Sequence, residues 1–177
     1  MKVVLDGLPP EGRTVSAGLE DAWLLEAVLL AVGAQPETLF AELHVARAGA
    51  EKFRVTGRLS VTWRVRCDRC LRMLRSQLGG PLDLVYQRGV VPSEEEVELA
   101  AGDLDIGWIQ GGSLELADVV SEQLALWLPD RQFCADEGVE RVDATDFGPC
   151  ALPEHDDGPD LKKKSPFSAL ANWKPSH

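Results

Sequence analysis

Residues 53–74 read FRVTGRLSVTWRVRCDRCLRML, and the pattern in this segment is the strongest indication of the fold. From Phe53 to Cys67 the odd positions are apolar or glycine, whereas the even positions are Arg, Ser or Thr. Because side chains alternate between the two faces of a strand, this pattern predicts one long strand with an apolar face and an arginine face. Few strands are this long, so we expect a bend or a bulge at Gly57.

The long strand is predicted to pair on both sides. Apolar and polar residues alternate over residues 39–47, and the turn at 48–50 then leads into the long strand as a hairpin. A returning strand is predicted after Gly79-Gly80-Pro81, where Leu82, Leu84 and Tyr86 alternate with their neighbours. The sequence Cys67-Asp68-Arg69-Cys70 therefore lies near the tip of a second hairpin.

Two helices are predicted to cover this sheet. The first would be capped by Ser16 and run to Val32, and the second would follow Ser113 and end at Leu128 before Pro129. Each carries an apolar stripe that we expect to face the sheet, although the first stripe could instead be a groove for a partner. The stripes comprise Leu19, Trp23, Ala27 and Leu30 in the first helix, and Leu116, Val120, Leu124 and Trp127 in the second.

The predicted fold class is α+β, with an antiparallel twisted sheet, open or barrel-like, packed with two helices. This core domain would span residues 1–130, with short strands also at 3–5 and 104–108. Periodicity is lost beyond Pro129, so residues 131–177 are predicted as an irregular acidic tail that ends in a short helix at 165–174. Such a helix is marginal alone, and it would dock on its own domain or on a partner through Phe167, Leu170 and Trp173.

The net charge of −11 conceals an uneven distribution. Residues 93–177 carry 6 Lys+Arg and 19 Asp+Glu, whereas residues 47–75 carry nine basic side chains and two acidic ones. Guanidinium groups suit phosphate and carboxylate, so the arginines are predicted either to contact RNA or to pair with the protein's own acidic half or a protein partner. The RNA-binding hypothesis names Arg54, Arg58, Arg64, Arg66, Arg69, Arg72 and Arg75.

An aromatic platform for RNA bases is not evident beside these arginines. Trp63 is the aromatic residue nearby, and the alternation places it on the apolar side of the strand. Recognition of the RNA backbone or of RNA shape is therefore favoured over the reading of single-stranded bases.

The four cysteines indicate a possible structural zinc site. Cys67 and Cys70 have the spacing of two ligands on one ion, and Cys134 with Cys150 could complete a tetrahedral set that ties the tail to the sheet. Asp136 or His155 could substitute for a cysteine. The alternatives are a site with two cysteines, no metal, or a redox thiol pair, which would require an activated thiolate.

Other function classes find little support. Residues 1–10 meet a charge and two prolines before any long apolar run, and no apolar window is long enough to span a bilayer. We therefore expect a cytoplasmic protein with reduced or metal-bound cysteines. No nucleophile–base set, phosphate loop or carboxylate pair stands out, so neither an enzyme nor a small-molecule substrate is expected.

Three elements together resemble the bacterial YceD proteins, the large ribosomal RNA subunit accumulation proteins. They are the extended run into Cys67-Asp68-Arg69-Cys70-Leu71, the strand at 104–105 with the later helix end Leu126-Trp127-Leu128-Pro129, and the tail Ser165-Pro166-Phe167-Ser168-Ala169-Leu170. The resemblance implies a non-catalytic role in making or stabilising large-subunit ribosomal RNA. The expected partner is ribosomal RNA or a pre-ribosomal particle; the alternative is an adaptor or chaperone that binds a basic ribosomal protein through its acidic half and terminal helix.

Overall fold

A computed structural model describes residues 1–89, 106–142 and 150 of the chain. Eight strands and two helices occur in this part of the chain. In order they are β1 (Lys2–Val4), β2 (Arg13–Gly18), α1 (Ala22–Val32), β3 (Pro36–Arg47), β4 (Lys52–Arg66), β5 (Met73–Arg88), β6 (Ile106–Ile109), β7 (Ser113–Glu115), α2 (Leu116–Trp127) and β8 (Val139–Arg141).

The main sheet is open and mostly antiparallel. Its strand order is β2-β3-β4-β5-β6, with β8 also paired to β5, and β1 and β7 form a separate two-stranded sheet. Only the β5–β6 pair is parallel among the pairings of the described residues. The α+β class with two helices is therefore confirmed. The sequence allowed an open or a barrel-like sheet, and the sheet is open.

The strand β4 has the two faces that its alternation predicts. Phe53, Val55, Leu59, Val61 and Trp63 are buried in the core. The helices contribute to the same core cluster through residues such as Leu24, Val28, Val120 and Leu124. The opposite face of β4, which carries the arginines, is turned to solvent.

Gly57 does not produce the expected bulge. The pairing of β4 with β3 and β5 continues through it, with Leu43 and Leu82 as its partners. Glycine is needed there for another reason, because a Cβ atom on residue 57 would lie 1.9 Å from the carbonyl oxygen of Glu42. The irregularity of this ladder lies instead between Pro36 and Thr38 of β3.

The returning strand begins earlier than predicted. β5 starts at Met73, directly after the cysteine loop, and the Gly79-Gly80-Pro81 segment lies within it. Pro81 faces Arg58 of β4, while β8 and β6 pair only with Leu74–Ser76 and Val85–Arg88 on the other side of β5. Among the described residues, no strand pairs with this side of β5 at Pro81, so the N–H group that proline lacks is not needed there.

The first helix begins later than predicted. Ser16 lies in β2, where it pairs with Glu42, so the ladder of β2 and β3 overrides its capping propensity. The helix begins at Ala22 after Asp21, whose Oδ2 accepts a 2.8 Å hydrogen bond from the Gly18 N–H group. The predicted stripe is confirmed at Ala27, which is buried, and at Trp23, which packs partly buried against the core. It is wrong at Leu19, which lies outside the helix, and at Leu30, which is 80% exposed.

The second helix was predicted closely. Ser113 lies in β7, because this segment pairs with β1, and the helix proper starts at Leu116. Leu116, Val120 and Leu124 are buried as expected, and Trp127 packs partly buried against the core. No helix in the described part of the chain combines the length and the apolar character that a membrane crossing requires.

Parts of the predicted tail and of one predicted strand lie outside the described residues. These are the terminal helix at 165–174, with Phe167, Leu170 and Trp173, and also residues 104–105 of the predicted strand, of which β6 is the described part. Within residues 131–142, which were predicted to be irregular, β8 pairs with Leu74–Ser76 of β5. The division into a core of residues 1–130 and a tail of residues 131–177 stays a prediction.

Candidate nucleic-acid interface and metal centre

The outer surface of β4 and its neighbours forms the arginine face, which we define by the outward side chains of β3, β4, β5 and β6. Four exposed arginines of β4 belong to it, at positions 54, 58, 64 and 66. Arg75 of β5 is paired directly across from Arg64, so it joins the same face. Two of the seven predicted arginines, Arg69 and Arg72, lie instead in the loop between β4 and β5.

Arg54 is paired with a carboxylate of the protein itself. Its Nε donates a 2.6 Å hydrogen bond to Oδ1 of Asp83, and its Nη2 contacts Oδ2 of the same residue. The hydrogen bond from Arg54 lowers the pKa of Asp83. Both side chains are about half exposed, so the pair is screened by water and weak.

Glu37 neutralises two further arginines. The register shift between Pro36 and Thr38 makes Glu37 the extra residue of a β-bulge, which turns its side chain to the arginine face. Its Oε2 accepts a 2.7 Å hydrogen bond from Nε of Arg75, and its Oε1 contacts Nε of Arg64. These hydrogen bonds, first from Arg64 and then from Arg75, lower the pKa of Glu37.

The remaining predicted arginines differ in their surroundings. Arg58 and Arg66 are exposed and make no hydrogen bond or ion pair with any other described residue. The guanidinium of Arg69 lies over the ring of Phe133, 5.0 Å from its centroid. Arg72 is half-buried in the same loop. The hypothesis of RNA contact therefore has its most accessible charges at Arg58 and Arg66.

The arginine face also carries two aromatic side chains that the sequence reasoning missed. Phe40 of β3 is 49% exposed, and its cross-strand partner is Ser60 on the outward side of β4. Trp108 of β6 is 39% exposed and pairs with Gln87 of β5, on the side opposite to buried Ile109. The alternation of residues 39–47 contains the signal for Phe40, because this residue lies between the buried Leu39 and Ala41.

The four cysteines come together at the end of the β4–β5 hairpin. The Sγ atoms of Cys67 and Cys150 are 3.6 Å apart, those of Cys70 and Cys134 are 3.4 Å apart, and all four Sγ atoms lie within 4.8 Å of one another. The predicted set is therefore brought together although its members are up to 83 residues apart in sequence.

Backbone contacts hold the two halves of the cluster in place. The loop closes on itself, with the Cys67 N–H group bonded to the carbonyl oxygen of Arg72 and the Leu71 N–H group bonded to that of Cys67. The Asp68 N–H group donates to the carbonyl oxygen of Gln132 at 2.9 Å, and the Gln132 N–H group donates back to Oδ2 of Asp68 at 2.6 Å. This reciprocal pair positions Cys134 beside the hairpin loop.

The geometry fits a thiolate-bound metal ion. Four sulfurs around Zn²⁺ at about 2.3 Å lie about 3.8 Å from one another in a tetrahedron, which falls within the observed spread. Burial raises the pKa of Cys67, but N–H groups of Cys70 and Arg69 and the neighbouring thiols lower it to about 6. Burial and the neighbouring thiols raise the pKa of Cys134 to about 12. Four thiolates this close would repel one another, so all four cysteines could be deprotonated together only around a bound cation.

The substitute ligands and the redox alternative are less well placed. Oδ2 of Asp136 accepts a 2.5 Å hydrogen bond from the Phe133 N–H group and so stabilises a turn, while His155 lies outside the described residues. Cys67 is fully buried and follows a strand, whereas a redox thiol needs access to its substrate.

Comparisons with known proteins connect these features to one family. A family model described as "Large ribosomal RNA subunit accumulation protein YceD" matches residues 55–174, which include most of β4, all of β5, α2 and the four cysteines. Searches of curated proteins and of solved structures find no match. Since the matched residues make up more than half of the sequence, the chain belongs to the YceD family of large ribosomal RNA subunit accumulation proteins.

Proposed function

We propose that this protein is a non-catalytic, cytoplasmic ribosome-biogenesis factor that supports the accumulation or processing of large-subunit ribosomal RNA. The family's description supports the process, and the arginine face supports direct contact with RNA. The observation that carries the RNA contact is the exposure of Arg58 and Arg66, neither of which forms an ion pair with a described carboxylate, although Glu42 lies across from Arg58. Their guanidinium groups remain available to phosphate oxygens.

Only a few of the arginines on this face can contact phosphates without first losing a carboxylate partner. Arg54, Arg64 and Arg75 are each bonded to carboxylates of the protein, so they would have to exchange these partners to reach a phosphate. Binding through about four phosphates corresponds to a slope near −3 in a plot of log K against log salt for a single strand. We expect this slope from the intact arginine face.

The proposed zinc ion is structural. Cys67, Cys70, Cys134 and Cys150 would hold it, and the bound ion would supply a cross-link between thiolates. In residues 128–142, which the structure describes, the chain after α2 is joined to the sheet by the short strand β8 and by the Asp68–Gln132 pair. A metal at the four cysteines would therefore fix the start of the acidic segment against the hairpin loop.

Charge reversal tests the RNA contact. The double substitution Arg58→Glu and Arg66→Glu should weaken binding to ribosomal RNA fragments and reduce the magnitude of the salt slope by about 1.4, since two phosphate contacts are lost. Arg13→Glu with Arg131→Glu is the matched control, because both residues are exposed and lie off this surface while the net charge changes equally. Equal effects of the two double substitutions, or a slope of zero in the unmodified protein, would contradict the proposed contact.

The second candidate is an adaptor or chaperone for a basic ribosomal protein. It is favoured by the carboxylates that already neutralise part of the arginine face, namely Glu37, Asp83 and Glu140. In this case the acidic half and the terminal helix would bind the partner. A pull-down from cells that recovers a ribosomal protein after complete RNase digestion, with no RNA bound by the purified protein, would support this candidate over the first.

A further inference from the structure

The arginine face has two exposed aromatic rings, and both stand where the neighbouring side chains are small. Phe40 lies in a cross-strand row with Gly18 of β2, Ser60 of β4 and Gly79 of β5. No other ring or long side chain belongs to this row, so no neighbour within the row covers the Phe40 ring. A cleft of about 490 Å³ adjoins the ring on the β2 side, where Gly18 and Leu19 line it.

Trp108 presents a comparable surface at the other end of the sheet. A Cβ atom on Gly89 would lie 3.4 Å from Cζ3 of Trp108, so the indole has glycine beneath it where a larger side chain would crowd the ring. Its row continues through Gln87 of β5 to Lys52 of β4, which is exposed. An indole with a cation in its own row is suited to a base and its phosphate.

Positive charge is arranged between the two rings. Arg58 is the diagonal neighbour of Phe40, because Phe40 pairs with Ser60 and Arg58 precedes it by two residues on the same face of β4. Arg54 follows further along β4, in the row next to that of Lys52 and Trp108. The basic side chains Arg58, Arg54 and Lys52 thus occupy β4 along the diagonal from Phe40 to Trp108, and of these Arg54 would have to exchange Asp83 for a phosphate.

Acidic groups border the Phe40 end and restrict where a phosphate can lie. Oε2 of Glu20 is 3.3 Å from the position of a Cβ atom on Gly18, and Glu42 is the cross-strand partner of Arg58. Glu20 therefore repels a phosphate from the β2 side of the ring. On the β4 side Arg58 attracts the phosphate, and Glu42 in the same row offsets part of that attraction. This asymmetry favours a strand that lies along β4 with a base turned towards Phe40.

We propose that the arginine face binds an unpaired RNA strand by stacking one base on Phe40 and another on Trp108, with phosphates on Arg58 and its basic neighbours. This inference rests on the proposed function and adds the class of RNA that is recognised. Bases in a duplex are already stacked on each other and cannot lie on a protein ring, so the rings select single-stranded segments. The rings are roughly 30 Å apart, from the spacing and rise of strands.

A comparison of binding to single-stranded RNA and to duplex RNA tests whether the two rings stack on bases. The probes are a labelled 12-nucleotide oligoadenylate, long enough to reach both rings, and a 12-base-pair RNA duplex. Phe40→Ala and Trp108→Ala should each weaken binding of the single strand about tenfold, because base stacking on an aromatic ring contributes that much. Duplex binding and the salt slope should not change, since no charge is removed.

Conservative and surface controls separate stacking from damage to the fold. Phe40→Tyr and Trp108→Phe keep a ring and should retain binding of the single strand. Leu30→Ala removes an apolar side chain of α1 that is even more exposed than the two rings and should have no effect. Quenching of tryptophan emission by the oligoadenylate should be smaller in Trp108→Phe than in the unmodified protein.

The outcomes separate this inference from the proposed function. If both alanine variants bind the single strand as tightly as the unmodified protein, while reversal of Arg58 and Arg66 weakens it, stacking is wrong and the RNA contact stands. Stacking is also wrong if the two alanine variants bind the single strand and the duplex with equally reduced affinity. If the unmodified protein binds neither RNA, the proposed contact and the inference both fail.

Discussion

The carboxylate of Glu37 accepts a 2.7 Å hydrogen bond from Nε of Arg75 on the arginine face. Glu37 reaches this face only because it is the extra residue of the bulge at the start of β3. It also contacts Arg64, so one carboxylate holds two of the seven arginines that could contact RNA. This bulge therefore limits how many positive charges the protein offers to a phosphate backbone.

The substitution Glu37→Gln should increase the affinity of the protein for RNA. It removes the charge that competes with phosphate for Arg64 and Arg75 and keeps the shape of the side chain. Because these pairs are exposed and screened by water, we expect at most about fivefold tighter binding, together with a steeper salt slope. Fluorescence anisotropy with ribosomal RNA fragments measures both, and weaker binding would show that Glu37 supports the interface.

The stability contributed by Glu37 should disappear in acid. Its folded pKa is lowered from the ordinary value of 4.5, first by the hydrogen bond from Arg64 and then by that from Arg75. A carboxylate with a lowered folded pKa stabilises the fold above its unfolded pKa, and this contribution is lost as pH falls through the folded pKa. The melting temperature of the unmodified protein should therefore exceed that of Glu37→Gln at about pH 6, and the two should converge near pH 2.

A matched substitution shows whether this pH dependence is specific to the bulge. Glu11→Gln removes an exposed carboxylate outside the arginine face and should leave the melting temperature nearly unchanged at both pH values. A difference between Glu37→Gln and the unmodified protein that persists at the acidic end would exclude the two ion pairs as its cause.

Gly57→Ala should destabilise the sheet strongly. The added Cβ atom would meet the carbonyl oxygen of Glu42 at 1.9 Å, and backbone atoms of β3 cannot move aside without breaking the ladder. We expect a loss of about 3 kcal/mol or more in the free energy of unfolding, measured with urea. Gly7→Ala is the control, because nothing lies within 4 Å of its added carbon and it should change stability by less than about 0.5 kcal/mol. Similar stability of the two variants would disprove the close approach.

Protein purified without a chelator should contain one zinc ion per chain. Native mass spectrometry should detect this ion, and Cys134→Ser and Cys150→Ser should each reduce the zinc content because each removes one of the four thiolates. A strong chelator should lower the melting temperature, since binding energy at the site is also folding energy. Metal-free protein with a melting curve that is insensitive to zinc and chelator would rule out the site.

The alternation of β4 was sufficient to predict both faces of this strand, because burial on one side imposes a period of two. The second hairpin was predicted only in part, since β5 already begins at Met73 and not after Pro81. The start of α1 could not be predicted from Ser16, since pairing with Glu42 across β2 and β3 is a non-local contact that outweighs a capping preference. The outward position of Glu37 depends on a one-residue bulge, and such a register shift leaves no periodic signal in the sequence.

The two sites differ in how far the sequence could predict them. The spacing of Cys67 and Cys70 identified half of the cysteine cluster, while the approach of Cys134 and Cys150 depends on how the chain returns after α2. Phe40 could have been predicted from the strand over residues 39–47, because it alternates with buried Leu39 and Ala41. What was missing was the register that places this strand beside the arginines of β4.

Crosslinking in living cells is the most direct test of contact between the arginine face and RNA, since ultraviolet light joins only RNA and protein groups that touch. Large-subunit ribosomal RNA should be recovered with the protein, and the crosslinked peptides should come from the outward side of β3, β4 and β6, including Phe40 and Trp108. Recovery of protein partners alone, or ribosomal RNA crosslinked only to α1 and α2, would contradict this contact.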